Sequence, residues 1–315
     1  MISVFLDIDT SNYTTSAAVV SEEGEILENR RKLLEVPDGE RGLRQSDALF
    51  QHWKVLPEML APLLEKYRGN IRAVCAGNRP RPVEGSYMPV FTAGTGIGKT
   101  IAASLGAEYF ELSHQEGHFE AAALGNDIDF TRPCICAHLS GGTLELVLKT
   151  PGVYEKTGGT KDISYGQLID RFGVDMGFSF PAGKTIDDLA LGYAPEGLKN
   201  PLCRVFTDKT YLNLSGLETR LRSAEKGLSA EALSFFLMER ISESFVKICE
   251  AAKEQTGADQ VLVSGGVACS SFLRKYCKDK GYRFGRPDLC GDNAAGEALY
   301  ARKTYAAESS QRFTT

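Results

Sequence analysis

The sequence predicts a two-lobed α/β protein that arose by internal duplication, and three observations support this fold class. Each half of the chain opens with a strand–turn–strand pattern and then alternates helices with strands, as α/β folds do. The two opening turns, LDIDTS and HLSGGT, both place small and hydroxyl residues at the end of an apolar strand. The chain of 315 residues, 43% hydrophobic and 24% charged, accommodates two globular domains of about 150 residues each.

In the first half, apolar runs predict the strands, and apolar residues spaced three or four apart predict the helices. The first helix is expected to be interrupted near Pro57, because proline lacks the amide hydrogen that a helix interior uses. Glycines open the second helix. The predicted strands are 2–9, 14–20, 25–32, 71–76 and 109–112, and the predicted helices are 46–67, 97–105 and 115–124.

The second half repeats the pattern, with SGGT as the turn between its first two strands. Its predicted strands are 134–139, 144–149, 153–156 and 260–263, and its predicted helices are 165–172, 185–191, 230–253, 271–280 and 293–301. We therefore expect one lobe over residues 1–122, onto which helix 293–301 packs back, and a second lobe over 123–292. The polar tail, 304–315, is expected to be frayed.

Composition and charge exclude several classes of protein. With 36 Lys+Arg against 41 Asp+Glu, the net charge of −5 argues against a nucleic-acid binder that relies on its own charge. We expect neither a signal peptide nor a membrane span, because no apolar run is suitable for either. The eight cysteines form no CxxC pair, which favours buried thiols in a reducing cytoplasm over disulfides or a zinc ribbon.

The segment SHQEGH contains two candidate metal ligands. His114 and His118 are four residues apart, so on a helix both imidazoles project from one face. The order is HxExH and not HExxH, which rotates Glu116 about 100° away from the general-base position of a zinc protease. An isolated HxxxH is more often a pair of polar residues on a solvated face. Two of the four histidines in one turn favour a metal.

Asp292, in CGDNAA, is the candidate third ligand, although without context the N-cap of the following helix is the better explanation for it. Two histidines and one aspartate with open positions suit zinc or iron(II). Asp7 and Asp9 lie two residues apart on a strand and point to the same face. With Thr10, Ser11, Thr14 and Thr15 they could hold a hydrated cation beside phosphates, or the two acids could simply face solvent.

Glycine turns follow two predicted strands, SGGT at 140–143 and SGGV at 264–267. Backbone amides at such turns bind anions, so the pair indicates a nucleotide site, although any tight turn can use SGG. The duplicated turns LDIDTS and HLSGGT resemble the phosphate-binding turns of the actin/sugar-kinase/Hsp70 (ASKHA) fold. AGTGIGKT at 93–100 satisfies a relaxed P-loop pattern, but its preceding strand is short, so we favour the glycine-rich start of a helix.

In combination these segments resemble the TsaD family, the tRNA threonylcarbamoyladenosine transferases, nearly from end to end. Asp9-Thr10-Ser11 resembles the family's first-strand ETS, SHQEGH its NHxEAH, and CGDNAA its CTDNAA. LSGG resembles its LVSGGHT, and TKDISYGQLIDR, from Thr160 to Arg171, resembles TxDDAAGEAFDK. Each match alone is weak, but their colinear order identifies the chain as a member of this family.

Several positions depart from the family pattern. Gln167 and Asp170 stand at the two ribose-contacting acids, and Ile163 replaces the second Asp of the DD pair. Thr143 replaces the His of SGGHT, and Asp7 stands where a glycine is expected. The metal ligands survive while the nucleotide pocket is altered, which is typical of a divergent paralogue.

The resemblance implies one divalent metal, zinc or iron, held by His114, His118 and Asp292, with ATP or an acyl-adenylate as ligand. It implies metal-dependent threonylcarbamoyl transfer, or a paralogous variant, to the tRNA adenosine beside the anticodon. Asp9 is the one candidate for a catalytic side chain. tRNA binding would need a basic partner, and a homo- or heterodimer through the N-terminal lobe is expected. The implied nucleotide-binding residues are Thr10, Ser11, Ser140, Gly141, Gly142, Asp170, Gly183, Gly265, Gly266 and Ser270.

Two further classes stay open. A non-catalytic nucleotide-binding subunit, paired with a complete family member, is favoured by the lost ribose contact and disfavoured by the retained histidines. A sugar-kinase-like phosphotransferase would need a catalytic aspartate, for which Asp9 and Asp162 are the candidates.

Overall fold

A computed structural model of the chain describes residues 2–11, 13–36, 43–224 and 227–312. The chain divides into two compact units, one formed by Met1–Ala121 and Asp292–Thr315 and the other by Ala122–Gly291. Each unit has its own sheet and its own apolar core. Within the described ranges, every helix is too short or too polar to span a bilayer.

The strands and helices follow one another in an order that matches the duplication. The strands are β1 (Val4–Ser11), β2 (Thr14–Ser21), β3 (Ile26–Leu33), β4 (Ile71–Arg79), β5 (Glu108–Ser113), β6 (Cys134–Leu139), β7 (Leu144–Thr150), β8 (Val153–Thr160), β9 (Phe206–Asp208), β10 (Tyr211–Asn213), β11 (Gln260–Ser264) and β12 (Arg283–Phe284). The helices are α1 (Gln45–Tyr67), α2 (Phe91–Leu105), α3 (His114–Ala123), α4 (Tyr165–Asp175), α5 (Gly183–Gly192), α6 (Ser215–Ala224), α7 (Ala230–Thr256), α8 (Ser271–Tyr276) and α9 (Ala295–Arg312).

The first unit is built on a five-stranded sheet in the order β3-β2-β1-β4-β5. β1 pairs antiparallel with β2 and parallel with β4. Every residue of β1 is buried, because helices cover both faces. Leu6 and Ile8 join the core shared with α1 and α2, whereas Phe5 on the opposite face contacts Tyr305 of α9, with ring centroids 5.6 Å apart. Strand alternation therefore places Asp7 and Asp9 on the α9 face.

The second unit repeats the arrangement within a seven-stranded sheet of order β12-β11-β6-β7-β8-β10-β9. β6, β7 and β8 are antiparallel, and β11 lies parallel to β6 on its other side, as β4 does beside β1. The order β8-β7-β6-β11-β12 thus reproduces β3-β2-β1-β4-β5. The predicted duplicated ASKHA-type α/β fold is confirmed. The core of this unit is formed largely by α7 and its neighbours.

Some elements differ from the sequence-based expectation. α1 runs without a break through Pro57, since its buried Leu56, Leu60 and Leu63 join the apolar core. α9 continues to Arg312, so residues 304–312 are helical and not frayed; Ala, Glu and Gln there are good helix formers. β9 and β10 were not predicted, because three-residue strands carry no measurable periodicity. α6 was not predicted either, since only Leu217 and Leu221 of its ten residues are buried and its apolar pattern is short. The last residues of the expected tail, 313–315, lie outside the described part of the chain.

Candidate metal centre and nucleotide-binding turns

Three side chains of the first unit converge where α3 begins and just before α9. His114 and His118 lie one helical turn apart on α3, and their Nε2 atoms are 3.1 Å apart. Oδ1 of Asp292 lies 3.5 Å from Nε2 of each histidine. Three ligands about 2.1 Å from a tetrahedral metal stand about 3.4 Å from one another. The three donor atoms therefore fit one metal ion without rearrangement.

Neighbouring polar groups hold these ligands in place. Oδ2 of Asp9 lies 2.9 Å from Nδ1 of His114, so Nδ1–H can donate to Asp9 while Nε2 faces the metal position. Thr14 donates its hydroxyl hydrogen to Oδ2 of Asp292 at 3.1 Å. The amide of Ala295 donates to Oδ1 of Asn293, and this leaves Asp292 available as a ligand. The sequence grouped Thr14 with Asp7 and Asp9, but its contact with Asp292 was not predicted, because residues 278 positions apart meet only in the folded unit.

Two of the three side chains, His118 and Asp292, have charge states that suit metal binding, whereas His114 would have to release a proton. Burial lowers the pKa of His118 below its ordinary value, against the opposing hydrogen bond to Asp292. Burial also acts on His114, but Asp9 and Asp292 outweigh it and raise its pKa well above the ordinary value. Although burial opposes it, hydrogen bonding to both histidines holds the pKa of Asp292 well below its usual range. At neutral pH Asp292 is thus ionised and His118 neutral, as metal ligands must be.

Two glycines set the spacing between α3 and α9. A Cβ added at Gly296 would collide with the carbonyl oxygen of Gly117 and lie 2.7 Å from the amide nitrogen of Ala121. The two helices therefore approach as closely as their backbones allow. This approach brings His118 on α3 near Asp292, which precedes α9.

The glycine-rich segment 93–100 lies inside α2 and not in a phosphate-binding loop. Lys99 forms an ion pair with Glu111 at 2.8 Å. The hydroxyl of Thr10 donates to the carbonyl of Val90 at 2.9 Å and accepts the amide of Gly94 at 3.2 Å. The interpretation as a glycine-rich helix is confirmed. Thr10 and its neighbour Ser11 are both buried, and Thr10 fixes the start of α2 against β1.

In the second unit, Gly141, Gly142 and Gly266 of the predicted glycine turns are exposed, whereas Ser264 and Gly265 are buried. The hydroxyl of Ser140 accepts the amide of Thr143 at 3.0 Å, which closes the first turn. Cβ positions at Gly141, Gly142 and Gly266 have no atom within 4 Å, so an anion has room beside these residues. Gly265 is buried with φ of +92°, and a Cβ there would collide with the carbonyl of Leu139, so only glycine fits.

Two side chains expected to contact a nucleotide are engaged within their own unit. Oδ1 of Asp170 accepts the amide of Ala182 at 2.8 Å, and burial raises the pKa of this acid. Ser270 accepts the amide of Leu273 at 3.0 Å and donates to Asp187. These contacts fix the starts of α5 and α8. Gly183, the first residue of α5, is exposed.

Asp162 has a structural role. Its carboxylate accepts the amides of Ile163, Leu214 and Ser215 at 2.7–3.0 Å. Burial opposes the shift, but these amides lower its pKa from 3.8 to about 2. A carboxylate held in this way is a poor catalytic base.

We expect Asp162→Asn to lower the free energy of unfolding at neutral pH by about 1 kcal/mol. This is less than the pKa shift alone would give, because solvent partly screens the charge of this side chain. The folded-state pKa is depressed, so the stabilisation is present above about pH 4 and is lost as pH falls towards about 2. Urea unfolding of both proteins at about pH 7 and about pH 2.5 measures this. An equal difference at both pH values would contradict the assignment.

Comparisons with known proteins agree with the fold and identify the family. The model of the family TsaD, tRNA N6-adenosine threonylcarbamoyltransferase, matches residues 37–299. The tRNA N6-adenosine threonylcarbamoyltransferase of Neorickettsia sennetsu is 28% identical over 315 aligned positions, covering 93% of this chain and 91% of the relative. A probable bifunctional tRNA threonylcarbamoyladenosine biosynthesis protein of Methanothermobacter thermautotrophicus is also 28% identical, over 95% of this chain but only 55% of its own length. The crystal structure of full-length HypF in a phosphate- and nucleotide-bound form has a TM-score of 0.61 at 12% identity, covering 95% of this chain and 46% of that one.

Proposed function

Since the chain belongs to the TsaD family, we propose that it transfers a threonylcarbamoyl or closely related carbamoyl group from an acyl-adenylate to an adenosine of tRNA, in a metal-dependent reaction. The observation that carries this proposal is the triangle of donor atoms from His114, His118 and Asp292, whose sides of 3.1, 3.5 and 3.5 Å fit one metal ion.

Each group in the first unit has a defined task in this proposal. His114, His118 and Asp292 would hold zinc or iron, and the bound metal would polarise the acyl carbonyl as a Lewis acid. Asp9 fixes the orientation of His114, and Thr14 fixes that of Asp292. The side chain of Asp292 is 39% exposed, so the ligand set is open to a substrate on this side.

The glycine turns at 140–143 and 264–267 would bind the phosphate of the adenylate at their exposed residues, Gly141, Gly142 and Gly266. Backbone amides make this contact without a charged side chain. Phosphate binding therefore does not depend on the ribose-contacting positions at which this chain departs from the family pattern. Asp170 already accepts backbone amides, so its contact with a ribose would be made by the remaining oxygen. We propose that phosphate recognition dominates nucleotide binding here.

The net negative charge of the chain bears on how it would bind tRNA. With a net charge of −5, the chain would depend on a basic partner to hold tRNA, either in a heterodimer or beside a second copy, through the N-terminal unit. A cytoplasmic location, where tRNA is available, is part of the same proposal.

A second candidate function is a non-catalytic nucleotide-binding subunit. The engagement of Asp170 and Ser270 by their own unit favours it. The intact donor triangle favours the transferase, because a subunit without catalysis has no need of it.

The test supplies threonylcarbamoyl-adenylate labelled at the carbamoyl carbon together with tRNA, to protein loaded with zinc or iron(II), alone and with its co-purified partners. Labelled tRNA that forms only with metal-loaded protein would support the transferase. Tight adenylate binding without transfer under every condition would replace it with the binding subunit.

A further inference from the structure

Three acidic side chains meet in the interior of the first unit. Asp7 and Asp9 project from β1, and Glu297 projects from the first turn of α9; all three are fully buried. Gly77 and Gly117 leave the space for them. A Cβ at Gly77 would lie 2.6 Å from Oδ1 of Asp9 and 3.2 Å from Oε1 of Glu297, and one at Gly117 would lie 2.9 Å from the same Oε1.

These carboxyl groups lack the partners that buried acids require. Oδ1 of Asp9 and all four carboxyl oxygens of Asp7 and Glu297 have no partner with hydrogen-bond geometry. The polar neighbours of Asp7 are Glu297, the backbone amide of Ile8 and the thiol of Cys75. Among the described residues, no lysine or arginine forms an ion pair with any of the three acids. Burial raises the pKa of Asp7 and of Glu297 well above their ordinary values. The cluster therefore needs either protons or a cation.

We propose that Asp7, Asp9 and Glu297 form a second cation site, beside the centre of His114, His118 and Asp292. Asp9 belongs to both, since Oδ2 faces Nδ1 of His114 and Oδ1 faces the other acids. Ligand atoms of Asp9 and Glu297 lie within 4.8 Å of each other and of a nitrogen of His114. Asp7 completes the cluster through its contact with Glu297.

The ligand chemistry selects a hard divalent cation. Carboxylate oxygens suit Mg²⁺, Ca²⁺ and Mn²⁺, whereas zinc favours the imidazoles of the neighbouring centre. Ca²⁺ prefers six to eight oxygen ligands, more than three carboxylates in the interior supply. Mg²⁺ and Mn²⁺ share the same oxygen ligands and octahedral geometry, and Mn²⁺ is the probe because electron paramagnetic resonance detects it. Because Asp7 stands where the family pattern has glycine, the site is a feature of this chain and not of the metal centre that the resemblance implies.

The experiment measures Mn²⁺ binding by electron paramagnetic resonance and elemental analysis on full-length protein whose first centre is filled with zinc. Wild type is expected to bind one Mn²⁺ per chain. Asp7→Asn and Glu297→Gln, which keep side-chain shape but lose a charge, are each expected to weaken Mn²⁺ binding by more than about tenfold. Glu111→Gln is the matched control, because Glu111 lies in the same unit but pairs with Lys99 and Asn78.

His118→Ala separates this site from the proposed transferase centre. It is expected to lose zinc while keeping the single Mn²⁺, since His118 does not belong to the acidic cluster. Absence of bound Mn²⁺ in wild type would overturn the proposal. So would wild-type Mn²⁺ affinity in either carboxamide variant, with circular dichroism confirming that each variant is folded.

Discussion

His118→Ala is expected to remove the zinc or iron and to lower carbamoyl transfer by more than about a hundredfold. Replacing a residue that only hydrogen-bonds to a metal ligand typically lowers metal affinity or activity by about tenfold to a hundredfold, and loss of the ligand itself should cost more. Nε2 of His118 is one corner of the donor triangle, 3.1 Å from Nε2 of His114 and 3.5 Å from Oδ1 of Asp292. Without it, two donors remain, and Asp292 loses one of the two contacts that keep it ionised. Metal analysis and a single-turnover transfer assay measure the two effects.

His138→Gln provides the histidine control for this variant. His138 lies on β6 of the second unit, where its ring contacts the hydroxyl of Ser264 at 3.2 Å. We expect its replacement to leave the metal content at the wild-type level.

Asp9→Asn should have an intermediate effect, about tenfold to a hundredfold in metal affinity, because the amide no longer accepts Nδ1–H of His114 as a carboxylate does. Full metal content in His118→Ala would exclude the site.

Gly296→Ala is expected to lower the free energy of unfolding by about 3 kcal/mol or more, because overpacking a close contact forces backbone to move. The added methyl would collide with the carbonyl oxygen of Gly117, which belongs to the helix backbone and cannot rotate away. Since α9 would be displaced from α3, metal affinity should fall as well. Denaturant unfolding and metal titration measure both.

Gly96→Ala is the matched control. Gly96 lies in a helix, α2, but it is exposed and no atom lies within 4 Å of its Cβ position. Alanine there should be neutral or stabilise the helix by up to about 1 kcal/mol, since it has the higher helix propensity. Equal stabilities of the two variants would show that α3 and α9 do not pack as closely as the structure indicates.

Much of the fold could be predicted from the sequence, because the long elements carry strong periodicity. β6, β11 and α7 have nearly the expected bounds, and the repeated strand–turn–strand pattern correctly indicated duplication. The predictions that were wrong concern elements whose structure depends on tertiary contacts. Proline does not break α1 because an apolar face anchors the helix on both sides of Pro57. The short strands β9 and β10 depend on pairing with β8.

The metal ligands could be proposed from spacing and resemblance, but their surroundings could not. Spacing along the chain placed both histidines on one helix face, whereas Thr14 and Glu297 reach this region only through strand pairing and helix packing. Asp7 was expected either at a hydrated cation or at solvent; it is fully buried, so the solvent alternative is wrong. An acid within an otherwise apolar, fully buried strand was the available signal.

The measurement that tests metal-dependent transfer most directly is the zinc and iron content of untagged wild-type protein, by elemental mass spectrometry. Close to one zinc or iron per chain is the expected result, lost on removal with a chelator and restored together with transfer activity. Protein that stays free of both metals after incubation with zinc and with iron(II) would contradict the central claim. It would leave the nucleotide-binding subunit as the better account of this chain.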